Sequence, residues 1–598
     1  MKVPKIQIGG KGAVILFIFS TCATSLFAQI SVSLTTSNPS PAPVGQVVTW
    51  TASVNNAGTD NLWYRFRVRT VGKSYHIVRD FGPEPSLDWT AEWEGMYEIE
   101  LTVRDLTKNR RFTTTTMFEM TPLAPSYTPV VNRTANPLVL LYSAPACPVD
   151  SKMRVQITDA NGNNQYTPYK ACQDSLTVNF YISGLQPNAP YTLTSLTLDR
   201  AGNASSGLPI TLNTAQPPDN LAQYQVLTGQ PTSRDGILLQ STLFLNNATA
   251  IASDLNGNII WYYTGNISFI TRPESGGRFF GLYEDQTKDQ AHQIVREFDL
   301  AGNTLLETNA ARVNEQLTAL GKRQISGFHH EATRLPNGNI MVLADVEQIL
   351  TDVQGPGPVD VIGDMIIVMN DDLQVVWTWD AFDHLDTSRM ATLNDSCLPG
   401  NGCAPYYLAQ TANDWLHGNA LSRTPDGNLI YSSRAQDWVI KIDYEDGNGS
   451  GDVIWRLGKD GDFQIVSDDP NPWFSHQHDP NFETVDSTRL DVFDDGNLRA
   501  QTDPSVHSRG QVLQLDEANR VATLVLNADL GAYTFALGSA HRLPNGHYHF
   551  DVGWVTGDDP SNPTSRAVEV DPSGNIVFAL QADTPEYRSF RMQNLYTP

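Results

Sequence analysis

Two short β patterns recur between residues 218 and 598, and this repetition constrains the fold more than any other feature of the sequence. In the first pattern an aspartate and a short turn lead into an apolar strand that often ends in tryptophan. Its six copies are SDLNGNIIWYY from Ser253, FDLAGNTLLET from Phe298, NDDLQVVWTWD from Asn370, YEDGNGSGDVIWRLG from Tyr444, LDEANRVATLVLN from Leu515 and VDPSGNIVFAL from Val570.

The second pattern is a tight hairpin. Its copies are TRLPNGNIMVLAD from Thr333, SRTPDGNLIYSSR from Ser422 and HRLPNGHYHFDVG from His541. Asn-Gly and Asp-Gly between alternating apolar residues are a strong hairpin signal, because both turn residues must take positive φ. Six copies of the first pattern predict six antiparallel sheets in radial array, a six-bladed β-propeller over residues 218–598. The copies are unevenly spaced, so seven or eight blades remain alternatives.

Two further β modules precede this region. Residues 29–122 contain short alternating runs such as VVTWTASV, WYRFRV and YEIELTVRD, which predict an immunoglobulin-like sandwich. Residues 123–217 include GLQPNAPYTL, which resembles the turn and strand of a fibronectin type III domain. Neither module carries a cluster of ionisable side chains, so we expect a spacer or a docking module in each case. The fold class is therefore all-β.

The first 28 residues read as a secretory signal peptide. Three lysines precede the apolar stretch AVILFIFSTCATSLFA, which ends on a small residue before Gln29. An uncleaved anchor is the alternative, but the apolar run is shorter than the roughly 20 residues of a spanning helix. We expect a secreted or periplasmic protein, with cell-surface association and homo-oligomer formation both left open, and no membrane span after cleavage.

Cleavage removes Cys22 and leaves four cysteines. In an oxidising compartment we expect the local pairs Cys147–Cys172 and Cys397–Cys403 to form disulfides, with free buried thiols as the alternative. The chain has 40 basic and 65 acidic residues and a net charge of −25. Nucleic acid and anionic membrane surfaces are therefore poor candidates for partners.

Three segments of the repeat region offer residues for chemistry. GFHHEATRLPNGN holds His329 and His330, NDWLHGN holds His417, with Arg434 leaving the hairpin that follows, and FSHQHDPNFE holds His476 and His478. Each histidine taken singly is more often structural. Side chains from different blades can nevertheless converge at a central channel, where His329 or His330, His417 and His478 would make a zinc or copper site. The permanent charge of Arg434 instead favours an anion. The residues alone leave these two alternatives even.

The order of these motifs resembles that of the bacterial arylsulfate sulfotransferases. DWLHGN before LIYSSR, HHE before RLPNGN, QHDP before VFDDGN, HSRGQVLQLD and the terminal YRSFRMQNLY all contribute to the resemblance. It implies a secreted or periplasmic propeller that moves a sulfuryl group from a phenolic sulfate ester to a phenolic acceptor. It also implies that neither phosphoadenosine phosphosulfate nor any other cofactor or metal is required.

The resemblance also implies roles for single residues. His478 corresponds to a nucleophile that becomes a sulfohistidine in a ping-pong mechanism, His417 to a second active-site histidine and Arg434 to a sulfate-binding arginine. The remaining catalytic histidine is either His329 or His330.

Asn419 would complete the set of substrate-binding donors, and His476 would either compete as nucleophile or flank the site. His547 and His549, in the last hairpin, have no assigned role. Two other functions remain as alternatives: a metal-dependent propeller enzyme with the histidines as ligands, and a non-catalytic adhesion or scaffold protein.

Overall fold

The computed structural model describes residues 30–598 except 125, 230–235, 244–247, 285–286, 288, 399–402, 404, 485–486 and 558–559. The predicted signal peptide and Cys22 lie outside the described residues. The described chain is built almost entirely of β-strands, which confirms the all-β class. Its helical segments are short, and their bounds are Ala310–Ala319, Asn497–Ala500, Ala381–Asp383 and Glu445–Gly447. Among the described helices, none is long and apolar enough to cross a membrane.

The first module packs two sheets face to face. One has the strands Ser31–Thr36, Val48–Asn55 and Ser86–Trp89. The other has, in spatial order, Ala42–Pro43, Arg110–Thr121, Gly95–Asp105, Leu62–Thr70 and His76–Gly82. Alternate residues of both sheets point inward and bury Trp50, Phe66 and Leu101 between them.

The second module also has two sheets. One contains Val178–Ile182, Leu140–Ala144 and Val130–Arg133. The other contains Asn164–Tyr166, Lys152–Asp159, Pro190–Leu198, Ala204–Ser206, Lys170–Ala171 and Ile210–Asn213. The Cys147–Cys172 disulfide is buried in its core, and Cys397 and Cys403 are also joined, as predicted.

In the described part of the remaining chain, six sheets, numbered one to six here, follow one another. Sheet one contains Glu586–Met592, Ile237–Thr242, Ala250–Asp254 and Ile259–Tyr263, and sheet two contains Phe269–Glu274, Arg278–Tyr283, Ile294–Asp299 and Thr304–Asn309. Sheet three contains Ile325–Arg334, Ile340–Thr351, Pro358–Met369 and Val375–Asp380, extended by Ala412–Asp414 and Ser396–Cys397.

Sheets four to six repeat the same plan. Sheet four contains Gly418–Arg423, Leu429–Ser433, Trp438–Ile442 and Val453–Gly458. Sheet five contains His478–Phe482, Arg489–Asp494, Arg509–Asp516, Val521–Asp529 and Gln464–Val466. Sheet six contains Gly538–Arg542, Tyr548–Val555, Thr564–Val570, Ile576–Ala582 and Tyr224–Gly229. In each sheet the strand given first is called the leading strand below.

Leading strands of consecutive sheets contact one another from sheet two to sheet six. The leading strand of sheet one, Glu586–Met592, contacts that of sheet six, and it meets sheet two through Tyr587, whose ring lies 4.4 Å from the ring of Phe269. The succession of leading strands therefore returns to its start. Sheets one and six each combine strands from the beginning and the end of this region.

The tryptophans of the first sequence pattern connect neighbouring sheets. Trp261, Trp379 and Trp455 are fully buried, and each indole N–H donates to the corresponding turn of the following sheet. The acceptors are Leu300 O at 2.8 Å, Gly451 O at 2.9 Å and Glu517 Oε2 at 2.9 Å, respectively. The repeated tryptophan thus fastens one sheet to the next while it fills the apolar space between them.

The aspartate of the same pattern closes its turn. Asp254 Oδ1 accepts from the backbone N–H groups of Asn256 at 2.9 Å and Asn258 at 2.8 Å. Gly257 in this turn has φ of +88°, a conformation that costs a residue with a Cβ more than it costs glycine. The pattern therefore encodes the turn as well as the strand after it.

Candidate active site

The site lies on the leading strands of sheets three, four and five. His330, Asn419 and His478 lie on these three strands, and in each strand the pairing register is interrupted beside them. His330 has φ of +57° and His417, just before the strand of sheet four, has φ of +48°. Such left-handed conformations are costly for residues other than glycine and gather at functional sites. They turn these side chains away from the ordinary alternation of a strand.

His417 is partly exposed and held by a carboxylate. Its side chain is 27% exposed, and its Nδ1 lies 2.6 Å from Asp414 Oδ2. Its ring centroid is 5.0 Å from that of His330. A carboxylate on Nδ1 fixes the ring and leaves Nε2 to exchange a proton with a bound molecule.

His329 and His330 differ in their surroundings although they are adjacent. His329 is buried, with Nε2 3.0 Å from Asp364 Oδ1 and 3.3 Å from Asp345 Oδ1. Burial alone would lower the pKa of His329, but the two carboxylates outweigh it and raise that pKa to about 9. His330 is partly buried, and its pKa lies well below the usual value because of burial and the charges of His417 and His329.

His478 is buried between an aspartate and a backbone N–H group. Its Nδ1 lies 3.2 Å from Asp495 Oδ1, and its Nε2 accepts from the Leu537 backbone N–H at 3.2 Å. Burial lowers the pKa of His478 well below its ordinary value, and the charge of Arg434 lowers it further. His478 is therefore neutral at pH 7, and the arrangement suits a proton on Nδ1 and a lone pair on Nε2.

Arg434 is buried and only partly engaged. Its Nη2 donates to Phe535 O at 3.1 Å, and its Nη1 is 3.6 Å from Asp395 Oδ1. Among the residues that the structure describes, Nε has no hydrogen-bond partner. Arg434 and His478 both bond to the segment 535–537, so this short loop ties the two side chains together.

Asn419 and His476 hold the backbone and carboxylates around His478. Asn419 Nδ2 donates to Gln477 O at 2.8 Å, so it supports the residue that precedes His478. His476 Nδ1 lies 3.0 Å from Asp437 Oδ1 and its Nε2 lies 3.2 Å from Asp395 Oδ2. Both nitrogens of His476 thus face carboxylates, and φ of +54° at His476 turns its ring away from the face that His478 uses.

A buried ionic network underlies the cluster. Arg588, fully buried, donates from Nη1 to Glu331 Oε2 at 2.9 Å and from Nη2 to Asn419 O at 2.6 Å. Arg272 Nη2 donates to Asp479 Oδ1 at 2.6 Å. Burial would raise the pKa of Asp479, but the charges of Arg272 and Arg588 outweigh it and lower that pKa. This network joins sheets one to five beneath the histidines.

These supporting residues carry little local signal in the sequence. Arg588 lies in the YRSFRMQNLY segment that contributes to the family resemblance, but no local motif connects it to Asn419. Glu284 was also missed, although burial raises its pKa to about 7 and its charge acts on His329 and His417. The sequence signal that could have identified Arg588 and Glu284 is a charged residue within or at the end of an otherwise apolar strand.

The sequence model of the arylsulfotransferase (ASST) family matches residues 223–591. The chain belongs to the arylsulfotransferase family. The match includes every site histidine and Arg434, and this membership supports sulfotransferase activity for the chain. None of the curated proteins matches it.

Several solved structures are similar to this arylsulfotransferase over about a third of its chain. The FN1–FN3 domains of chicken CNTN1 are 14% identical over 30% of this chain and 67% of theirs, with a TM-score of 0.13. The chicken interferon gamma receptor alpha chain is 10% identical over 30% of this chain and 98% of its own, with a TM-score of 0.13. The purple acid phosphatase PPD1 of yellow lupin is 12% identical over 33% of this chain and 43% of its own, with a TM-score of 0.16. Similarities this limited have no bearing on function.

The residues that could hold a metal ion differ from the set of three histidines, His329 or His330, His417 and His478, that the sequence suggests. Among the described residues, His329, Asp345 and Asp364 offer donor atoms within 4.8 Å of one another. Cys397, Cys403 and Asp414 also lie together, but the two cysteines are joined in a disulfide. His417 and His478 belong to neither set.

Proposed function

We propose that this arylsulfotransferase transfers a sulfuryl group from a phenolic sulfate ester to a phenol through a covalent sulfohistidine on His478. The observation that carries the proposal is the neutral, buried imidazole of His478, whose Nε2 accepts from the Leu537 backbone N–H and whose pKa is held well below its ordinary value by burial and by the charge of Arg434. A neutral imidazole can attack sulfur without a separate base. Because the donor is the aryl ester itself, phosphoadenosine phosphosulfate is not needed.

The sulfuryl oxygens are held by fixed donors from two sheets. Arg434 offers parallel N–H groups suited to a planar pair of oxygens, and it is already oriented by Phe535 O. His330 and His417 face each other across 5.0 Å and supply further N–H groups. Donors placed in advance stabilise the charge that shifts to the oxygens in the transition state.

In the first half-reaction, His478 Nε2 forms a bond to sulfur as the bond from sulfur to the phenolic oxygen breaks. The N–H of Leu537, which rests on Nε2 at 3.2 Å, must give way and can then donate to a sulfuryl oxygen. His417, held by Asp414, gives its proton to the leaving phenolate. A phenol leaves, and the sulfuryl group stays on His478.

In the second half-reaction the acceptor phenol gives its proton to His417 Nε2. The phenolate oxygen attacks sulfur, and the bond between sulfur and His478 breaks, which restores the lone pair on Nε2. The two products leave at separate stages, so ping-pong kinetics are expected.

We further propose that residues 218–598 form a six-bladed β-propeller, with the leading strands lining its centre. Six sheets of at least four strands and the closed succession of their leading strands support this arrangement. The immunoglobulin-like and fibronectin-like modules would occupy residues 29–122 and 123–217. Two disulfides fit a secreted or periplasmic protein.

The decisive experiment is mass analysis of the intact protein and its peptides after mixing with excess 4-nitrophenyl sulfate and no nucleotide. We expect a mass gain of one sulfuryl group on the peptide that contains His478, and release of that group when a phenol is added. His478→Ala should neither gain mass nor turn over. His507→Ala changes an exposed histidine outside the cluster and should behave as the unaltered protein does. A sulfuryl group on any other residue, or none at all, would refute the proposal.

A further inference from the structure

The geometry of sheet three points to a structural metal site, in which His329, Asp345 and Asp364 bind one zinc ion. The three residues lie on the first three strands of that sheet, Ile325–Arg334, Ile340–Thr351 and Pro358–Met369. The proposed transfer steps use none of them, so this inference goes beyond sulfuryl transfer and does not depend on it. The ion ties three neighbouring strands together next to His330.

The strand register places the three side chains together. Asp345 and Asp364 are directly opposite each other in the antiparallel pairing of their strands, so their carboxylates share one face of the sheet. His329 lies where the pairing of the leading strand is interrupted between Phe328 and Ala332. Its Nε2 reaches both carboxylates, at 3.0 Å from Asp364 Oδ1 and 3.3 Å from Asp345 Oδ1.

The donor atoms are spaced as the ligands of a small ion are. Bonds of about 2.0–2.2 Å at a tetrahedral zinc separate neighbouring ligand atoms by about 3.3–3.6 Å. The two measured separations lie at or just below this range, and one donor atom of each residue lies within 4.8 Å of the other two. A nitrogen beside two oxygens suits Zn²⁺ better than Ca²⁺ or Mg²⁺, which prefer oxygen ligands. The fourth position is left for water or for Glu284, whose charge acts on His329.

The donor atoms are buried and otherwise unused. His329, Asp345 and Asp364 are 2%, 7% and 1% exposed. Within the described part of the chain, Nε2 of His329, Oδ2 of Asp345 and Oδ1 of Asp364 make no hydrogen bond, although the first and last of these atoms lie 3.0 Å apart. Buried polar atoms are normally paired. An ion between the three side chains gives each of them a partner.

The charges of the set also favour a divalent cation. Carboxylates directly opposite each other in a sheet repel, and a buried charge is costly unless it is paired. Among the described residues, His329 is the ion-pair partner of both Asp345 and Asp364, and no lysine or arginine pairs with either. A proton on His329 supplies one positive charge against two negative ones. A divalent ion supplies two and leaves the buried set neutral.

Hydrogen bonds from outside the set hold two of the ligands. Asp364 Oδ2 accepts from the Gly418 N–H at 2.9 Å and from the Tyr431 hydroxyl, which leaves Oδ1 for the ion. Nδ1 of His329 lies 2.8 Å from Nδ1 of His330, within hydrogen-bond distance. Metal-binding histidines and carboxylates are commonly fixed by such partners. The ion therefore also steadies His330 through the ring of His329.

The first test is metal analysis of the full chain, produced with zinc in the medium and purified without chelator or metal-affinity resin. We expect one zinc ion per chain. Asp364→Asn and His329→Gln should remove it. Asp360→Asn is the matched control, because it changes a buried aspartate of the same strand that lies outside the set, and it should retain the ion. Full occupancy in Asp364→Asn would overturn the inference.

Titration of metal-free protein with Zn²⁺ gives the affinities. Asp364→Asn should weaken binding by more than about 100-fold, and Tyr431→Phe, which removes an outer hydrogen bond to Asp364, by about 10-fold. Added zinc should raise the Tm of the unaltered protein but not that of Asp364→Asn. Unfolding curves recorded without zinc show whether each variant is folded. Unaltered protein that neither retains nor binds zinc contradicts the proposal.

X-ray absorption at the zinc edge needs no variant. We expect a single imidazole nitrogen and oxygen ligands at about 2.0–2.2 Å. Sulfur at about 2.3 Å would instead place the ion at Cys397 and Cys403, and more than one imidazole would place it among the other site histidines. Either result refutes the assignment to sheet three.

The metal site and the proposed function fail separately. Zinc in sheet three without a sulfuryl adduct leaves the ion in place and removes His478 as nucleophile. A sulfuryl adduct in protein that binds no zinc has the opposite meaning.

Discussion

Replacing Arg434 by glutamine should separate its two contributions to the site. A guanidinium has five N–H donors, and one of those in Arg434 is used by Phe535 O at 3.1 Å. The others remain for two parallel bonds to the sulfuryl group, of which glutamine can restore one. Loss of one donor to a developing oxyanion costs about 2.7–4 kcal/mol, so kcat/KM should fall by roughly 10²- to 10³-fold.

The second contribution is electrostatic. Arg434 adds to the burial that keeps the pKa of His478 low, so the unaltered protein should retain activity well below pH 6.5, the usual imidazole pKa. Without the positive charge the pKa of His478 rises, and His478 becomes protonated and inactive at a higher pH. The acid limb of kcat/KM therefore moves up in Arg434→Gln.

Arg434→Lys is the matched control. Lysine keeps the charge but has no planar fork, so the rate should fall while the acid limb stays near that of the unaltered protein. The assay is the initial rate of phenol release from an aryl sulfate between about pH 4 and 9, a range that brackets the imidazole pKa. A rate for Arg434→Gln within tenfold of the unaltered protein, or an acid limb identical in all three proteins, would refute the reasoning.

Three further changes test other parts of the structure. Asp414→Asn removes the carboxylate 2.6 Å from His417 Nδ1 and should slow transfer from phenyl sulfate by about 10²-fold. Transfer from 4-nitrophenyl sulfate should slow much less, because nitrophenolate needs little protonation to leave. Equal losses of rate with the two donors would argue against His417 as the acid. Arg588→Met leaves Arg272 as the remaining ion-pair partner of Glu331 and should lower the free energy of unfolding by about 3 kcal/mol in urea titrations. A decrease of less than about 1 kcal/mol would mean that water reaches the network. Replacing both Cys147 and Cys172 by serine removes a disulfide that spans 25 residues and should lower the free energy of unfolding by about 3 kcal/mol. The rate of sulfuryl transfer at 25 °C should stay unchanged. A loss of transfer in protein that is still folded would show that the second module acts on the site.

The strands and turns of the repeat region were readable from sequence because their signals are local. The tryptophans of the first pattern are buried and fasten neighbouring sheets, and the aspartates close the turns that precede the strands. Both cysteine pairs form within short stretches of chain. In each case the interacting residues either lie close in sequence or recur at equivalent positions, so alternation and turn chemistry are sufficient.

The sequence identified the candidate histidines, but it did not predict the directions of their side chains. Alternation assigns His476 and His478 to the same face if the segment is extended, whereas φ of +54° at His476 places its ring between Asp437 and Asp395. In the sequence, the spacing H-x-E favours His329 and proximity to the hairpin favours His330, so the motif does not decide between them. Only the interrupted register after Phe328 and the positive φ of His330 separate their directions. A local distortion imposed by tertiary packing leaves no periodic signal.

The acidic partners were beyond sequence reasoning for another reason. The chain has 65 acidic residues, and nothing local marks Asp345, Asp364, Asp414 or Asp495 as the ones that meet a histidine. Arg588 reaches Asn419 from 169 positions away. Such pairs are set by how sheets meet, which depends on the whole arrangement of leading strands.

The leading strand of sheet one has a consequence for how the protein matures. Glu586–Met592 supplies Tyr587 and Arg588 to the base of the site and pairs with Ile237–Thr242, whose residues are made some 350 positions earlier. A nascent chain that ends before this strand can form sheets two to five but has neither the Arg588 bond to Asn419 nor the pairing that joins the two ends of the region. Catalytic competence should therefore appear abruptly with the last strand, so that prematurely terminated chains are inactive even where most of their sheets have folded.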